Sequence, residues 1–126
     1  MILLDTDIMI DILRRFPPAT LWLGSVDEQL AVPGFVAMEL IQGCRNAPEQ
    51  KEVERILVTH RTVWPDAETC RKSLELLSKY YLSNGLGIMD ALIAQTAIGF
   101  DMVLHTFNAK HFSVIPGLKI AQPYIK

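Results

Sequence analysis

The stretch ILLDTDIMIDILRR, residues 2–15, changes character at a single acid. Residues 2–4 are wholly apolar, as in a short strand buried on both faces, and the run stops at Asp5. From Asp7 onward the apolar residues take up helical spacing, with Asp7 as a candidate cap. Arg14 and Arg15 fall in the last turn, where the helix dipole favours cations, and Pro17-Pro18 end the run. A doubly buried strand running straight into a helix is the unit from which a parallel sheet with helical cover is built.

The same alternation continues outward from this stretch. LAV at 30–32, TVW at 62–64, MVLHT at 102–106 and LKI at 118–120 are further strand candidates. FVAMELIQG at 35–43 reads as a short helix stopped by Gly43, and residues 48–58 also carry helical spacing. PDAET at 65–69 opens a long helix that runs to about Leu82, followed by the loop SNGLG at 83–87. GIMDALIAQTAIG at 87–99 supplies one more helix. The expectation is an α/β domain spanning 1–126, with a mostly parallel central sheet of about four or five strands.

Half of the 126 residues are hydrophobic and mean hydropathy is +0.23, enough to fill a core and too apolar for a disordered chain. Apolar runs stop well short of the roughly 20 residues a membrane span needs. The N-terminal MILLDTD carries acids where a secretory signal carries bases. Together these predict a cytoplasmic protein with no membrane partner. Cys44 and Cys70 are isolated, so neither zinc nor a disulfide is expected. A net charge of −2 and a pI of about 5.9 argue against gripping nucleic acid by bulk positive charge. They leave open a nuclease with a local acidic metal site.

The acids fall in a pattern. In a parallel α/β sheet, functional groups collect at the carboxyl ends of the strands. Asp5 ends the first strand, and Glu39 lies on the helix after the second, amid Phe35, Val36 and Gly43 in an inward-looking setting. Asp90 opens its helix on a face shared with Ile93, Ala94 and Ala97, and Asn108 follows the strand that ends at Thr106. Each has an ordinary reading alone: a turn or cap for Asp5, a solvent-facing residue for Glu39, an N-cap after Gly87 for Asp90, a turn for Asn108. Taken together, they predict convergence on one edge of the sheet. Converging carboxylates raise one another's pKa unless a cation joins them. An all-oxygen set favours Mg2+ or Mn2+ over zinc, and such ions suit phosphate-ester chemistry.

LLDTD at 3–7, AMELIQG at 37–43, IMDALIAQTA at 88–97 and HTFNAKHF at 105–112 resemble, in order and over nearly the whole chain, the PIN domain family. The likeness is greatest to the VapC-like ribonuclease toxins of type II toxin–antitoxin systems. The resemblance implies a three-layer α/β/α sandwich and an endoribonuclease that uses Mg2+ or Mn2+ to hydrolyse RNA. It implies Asp5, Glu39 and Asp90 as the catalytic acids that hold the metal. Asn108 occupies a fourth catalytic position, often acidic in the family, and His111 stands where many relatives carry a further acid. Thr6 and Thr106 match polar positions beside the site. Asp7 replaces a common Asn and is a candidate outer ligand. The resemblance also implies an RNA substrate, a small cognate antitoxin, a homodimer, and DNA contact only through the antitoxin.

Arg14 and Arg15, whose helix begins just after Asp5, are candidates for contacting RNA phosphates. His111 is read as a loop or helix-start residue packing beside Phe112, and His60 and His105 as ordinary residues. The alternative reading is a PIN-like module that grips RNA or a protein with little or no cutting, to which Asn108 and His111 lend weight. A phosphoacceptor receiver domain is disfavoured, because Asp66 follows Pro65 as a helix opener and Lys110 lies beyond the last long strand.

Overall fold

In the computed structural model, which describes residues 1–126, five strands form one sheet of order β3-β2-β1-β4-β5 with every pairing parallel. The strands are β1 (Ile2–Leu4), β2 (Leu30–Pro33), β3 (Arg61–Val63), β4 (Val103–His105) and β5 (Ile120–Ala121). Between them run α1 (Thr6–Leu13), α2 (Pro17–Ser25), α3 (Gly34–Gln42), α4 (Ala47–Val58), α5 (Ala67–Asn84), α6 (Ile88–Gly99) and the short α7 (Ala109–Phe112). The arrangement is the expected α/β/α sandwich. α5 packs on α6, α3 on α4 and α6, and α1 on α2, α3 and α4.

The apolar run at residues 2–4 explains why β1 is central. Ile2, Leu3 and Leu4 are all buried, so the strand needs a neighbour on each edge and helices on each face. Leu3 pairs with Ala31 of β2 and Leu104 of β4, and Leu4 with His105. The carboxyl ends of β1 and β4 are thereby held level. Ile93, Ala94 and Ala97 of α6 are buried against the core, as their spacing predicts.

Several boundaries differ for physical reasons. α1 starts one residue earlier than expected, because Asp5 and not Asp7 is its N-cap, accepting the Thr6 N–H at 2.7 Å. Arg14 is the C-cap and Arg15 follows with φ +55°, so neither is in the last helical turn. Pro17-Pro18 not only stop α1 but open α2, where proline costs nothing because the first helical N–H groups have no partner anyway. No periodicity announces that helix: only its Ala19 is buried, and PPATLWLGS carries no clear stripe. α5 runs two residues past Leu82 and ends on Gly85, whose φ of +70° is the left-handed conformation glycine adopts without strain.

Gly34, the first residue of α3, lies under the Trp64 ring: a Cβ there would sit 2.3 Å from Trp64 Cδ2. Gly34→Ala should therefore displace the indole. The expected result is a red-shifted tryptophan emission and a loss of about 1 kcal/mol in urea unfolding, overpacking outweighing the helix propensity gained.

Candidate functional site

The turn from β1 into α1 places three polar residues in a row. Asp5 is buried, 6% exposed, and both its oxygens are engaged. Oδ1 accepts the Thr6 N–H, and Oδ2 accepts the Thr106 hydroxyl at 2.7 Å from the end of β4. Thr106 Oγ1 in turn accepts the Asn108 N–H at 2.9 Å. The Thr6 hydroxyl points the other way and donates to Glu39 Oε1 at 2.8 Å, orienting that carboxylate. Glu39 is itself exposed, contrary to the inward setting expected for it. α3 buries Val36 and Leu40 instead, and this turns Glu39 outward to the rim.

Asp7 does not cap α1, and both its oxygens are engaged. Oδ1 accepts the Ile8 N–H, and Oδ2 accepts the Phe107 N–H at 2.9 Å. The carboxylate therefore pins the β4–α7 turn to α1, and with it Thr106 and Asn108. On α6, Gly87 takes the N-cap position and Asp90 is three residues in. Asp90 Oδ2 reaches back to accept the Gly87 N–H at 3.2 Å, the return half of a capping box. The same oxygen lies 3.3 Å from His111 Nδ1, which is also 3.0 Å from Asn108 Nδ2. His111 thus faces the acids and is more than a neighbour of Phe112.

These residues meet in one cavity of about 290 Å3, lined by Asp5, Thr6, Asp7, Glu39, Asp90 and Asn108 with Ile10, Met89 and Ile93. Four carboxylates and no basic side chain line it. Burial, with the charges of Asp7 and Asp90 adding, pushes the Asp5 carboxyl up to about 6 against the opposing pull of the Thr106 and Thr6 hydrogen bonds. Asp7 is raised too, chiefly by burial. No three His, Cys, Asp or Glu side chains are drawn into a closed ligand cluster. A hard-oxygen set with surplus negative charge and open space between its members fits a hydrated divalent cation.

A family model described as "PIN domain" matches residues 2–118. The chain belongs to the PIN domain family. Among relatives of this PIN domain, ribonuclease VapC10 of Mycobacterium tuberculosis is 40% identical over 123 residues, covering 94% of this chain and 91% of that protein. Ribonuclease VapC19 of the same organism is 34% identical over 123 residues, covering 93% and 96%. A solved toxin–antitoxin complex from Klebsiella pneumoniae superposes with a TM-score of 0.81 at 27% identity, covering all of both chains.

Beside the acid cavity, the PIN domain has a second, larger groove of about 820 Å3 between α1, α3 and α4. Thr6, Ile10 and Glu39 line both, so the two adjoin. Ile10, Leu13, Leu40 and Val53 give the groove an apolar floor, and Arg14 lines it without an ion-pair partner. Arg15 does not line it and lies 3.8 Å from Glu52 instead. No helix is long and apolar enough to cross a membrane.

A brace behind the site is not legible in the sequence. Tyr124 Oη donates to Asp11 Oδ2 at 2.8 Å, and Lys126 Nζ lies 3.0 Å from the same oxygen. Lys126 also sits 4.4 Å above the Phe107 ring, which packs 4.9 Å from Tyr124. Burial and the Asp11 hydrogen bond hold the Tyr124 phenol well above its usual range. Asp11 and Tyr124 are 113 residues apart and neither carries a local motif, so no signal in the chain pairs them. His105, read as ordinary, stacks 5.5 Å from Trp22, and its Nδ1 is buried without a hydrogen-bond partner.

Proposed function

We propose that the protein is a divalent-metal-dependent endoribonuclease of the VapC type, hydrolysing RNA phosphodiesters in the cytoplasm. The observation that carries the reading is the single cavity lined by Asp5, Glu39 and Asp90 with no cation among its walls. The named ribonuclease relatives support the substrate class. Asp5, Glu39 and Asp90 would hold Mg2+ or Mn2+, which when bound polarises a water and neutralises phosphate charge.

The chain's own residues do the rest. Thr106 and Thr6 hold Asp5 and Glu39 in fixed rotamers, so that little reorganisation is needed as charge develops. Asn108 offers an uncharged amide to a phosphate oxygen, adding no repulsion to a site already rich in acids. Asp7 keeps that amide in place through the Phe107 N–H. Arg14, unpaired on the adjoining groove, is suited to grip a flanking phosphate; Arg15, engaged by Glu52, is less so.

A small antitoxin is the partner that the toxin–antitoxin complex from K. pneumoniae supports. The groove with its apolar floor, opening onto the acids, is a fitting seat for it, and a homodimer that meets DNA only through the antitoxin completes the reading. The test is cleavage of a mixed RNA substrate by purified protein with Mg2+ or Mn2+, and its loss in EDTA. Arg14→Ala should raise KM about tenfold and leave kcat nearly unchanged. RNA bound but left intact under all metal conditions would favour the non-cutting module instead.

A further inference from the structure

Asn108 stands on a turn that its own backbone does little to hold. Its φ of −99° and ψ of 50° are not helical, and its side chain makes no capping bond to α7. The N–H groups of the turn are held one by one from elsewhere. Thr106 donates to the Ala121 carbonyl of β5 at 3.0 Å, Phe107 to Asp7, and Asn108 to the Thr106 hydroxyl. The one bulky side chain on the turn is Phe107, half-buried and next to Asn108.

After β5, residues 122–126 close on that ring. Tyr124 packs against it with centroids 4.9 Å apart, and Lys126 Nζ lies 4.4 Å from its centroid. Both residues are tied to one carboxylate on α1. Asp11 Oδ2 accepts the Tyr124 hydroxyl at 2.8 Å and lies 3.0 Å from Lys126 Nζ. Asp11 is only 9% exposed, and a buried carboxylate is costly unless it is paired. Both partners of this carboxylate come from the same short segment. Asp11 lies one helical turn beyond Asp7, so the two acids share a face of α1. Asp7 holds the turn by its N–H, and Asp11 holds the residues that cover its ring. Gln122 Nε2 donates to the Tyr124 carbonyl at 3.0 Å and fixes the local course of the segment.

We propose that Tyr124 and Lys126 are positioning residues for RNA cleavage, acting through Phe107 to hold the Asn108 amide where it meets a phosphate oxygen. The inference rests on the nuclease reading above and extends it to residues that do not line the acid cavity. The Lys126 cation is committed to Asp11 and to the Phe107 ring. Loosening either residue therefore misplaces a group that acts as charge develops, which lowers kcat and leaves KM alone.

The test compares Tyr124→Phe, Lys126→Gln and the conservative Lys126→Arg, the first two also combined with Asn108→Ala. Turnover of single-stranded RNA with Mn2+, well below the unfolding midpoint, is read beside amide hydrogen exchange at Phe107. In Tyr124→Phe and Lys126→Gln, kcat should fall about fivefold with KM within about twofold, and Lys126→Arg should keep most of the wild-type rate. In the Asn108→Ala background, where the metal-holding acids are intact, the same changes should cause no further loss. Exchange at the Phe107 N–H should quicken about fivefold in the two variants and stay slow in Lys126→Arg.

Multiplicative losses in the double variants, or an unchanged kcat beside a lower urea midpoint, reduce the segment to a stabilising brace and overturn the inference. A raised KM alone in Lys126→Gln makes Lys126 a phosphate contact and overturns it as well. Unchanged exchange at Phe107 in both variants removes the hold on the turn, whether or not RNA is cut. Wild-type protein that leaves RNA intact overturns the nuclease reading instead, and quickened exchange would still show the segment holding the turn. Lys126 is 42% exposed, so its replacement opens no core and that arm stands even if Tyr124→Phe unfolds.

Discussion

Asp5→Asn should make the protein more stable and inactive at once. The Asp5 carboxyl is pushed up to about 6, so the folded chain holds this proton more tightly than the unfolded one does. Stability from that source is fully present below the ordinary carboxyl range near pH 4. It is lost as pH rises through 6, and the loss amounts to as much as about 3 kcal/mol. Asparagine removes the charge while preserving the geometry. It caps a helix as well as aspartate does, and the Thr106 hydroxyl can turn to accept from the new amide while still accepting the Asn108 N–H.

Urea unfolding in chelator should therefore show the variant about 1–3 kcal/mol more stable than wild type at pH 7.5 and equal to it near pH 4. Added Mg2+ or Mn2+ should stabilise wild type, by about 2.7 kcal/mol at a hundredfold excess over Kd, and leave the variant unmoved. Cleavage should fall by about 100- to 1000-fold or more, since losing one anchoring carboxylate forfeits several kcal/mol of charge stabilisation. A variant less stable than wild type at pH 7.5 would mean that the buried charge carries no cost.

Asp90→Asn separates the two uses of one carboxylate. As the residue that returns a hydrogen bond to the Gly87 N–H, it is replaceable, because an amide oxygen accepts that bond equally well. The charge lost near a helix N-terminus costs about 0.3–1 kcal/mol, and relief of repulsion on Asp5 offsets it. Unfolding free energy should stay within about 0.5 kcal/mol of wild type. In its proposed role of holding the metal it is not replaceable, and cleavage should fall by about 100-fold or more. Near-wild-type cleavage would reduce Asp90 to a helix-start residue. Circular dichroism and turnover on the same sample decide the matter.

What could be read in advance follows from the range over which each cause acts. The apolar run at residues 2–4, the acid that ends it and the helical spacing beyond it are local, and they lead to a central parallel strand with Asp5 at its tip. Asp90 is legible for the same reason: an acid stands out on a stripe formed by Ile93, Ala94 and Ala97. Glu39 is legible as a candidate but not in its setting, because the buried face of α3 is chosen by its neighbours, and they select Val36 and Leu40. Asp7 is easily misread because two acids two residues apart compete for one cap. The Phe107 N–H that occupies Asp7 lies 100 residues away. The contacts of Asp11 with Tyr124 and of His111 with Asp90 belong to the folded chain alone.

The order in which the chain is made gives the long hydrogen bond from Thr106 to Asp5 a further meaning. The larger groove is lined wholly by residues between Thr6 and Val53. The acid cavity needs Asp90, Asn108 and the β4 turn, which leave the ribosome only near the end of synthesis. During translation the groove's residues are therefore all available while the acid cavity still lacks two walls. Because β1 completes its pairing only with β4 and α3 packs on α6, the groove too takes its final shape only when the acid cavity does.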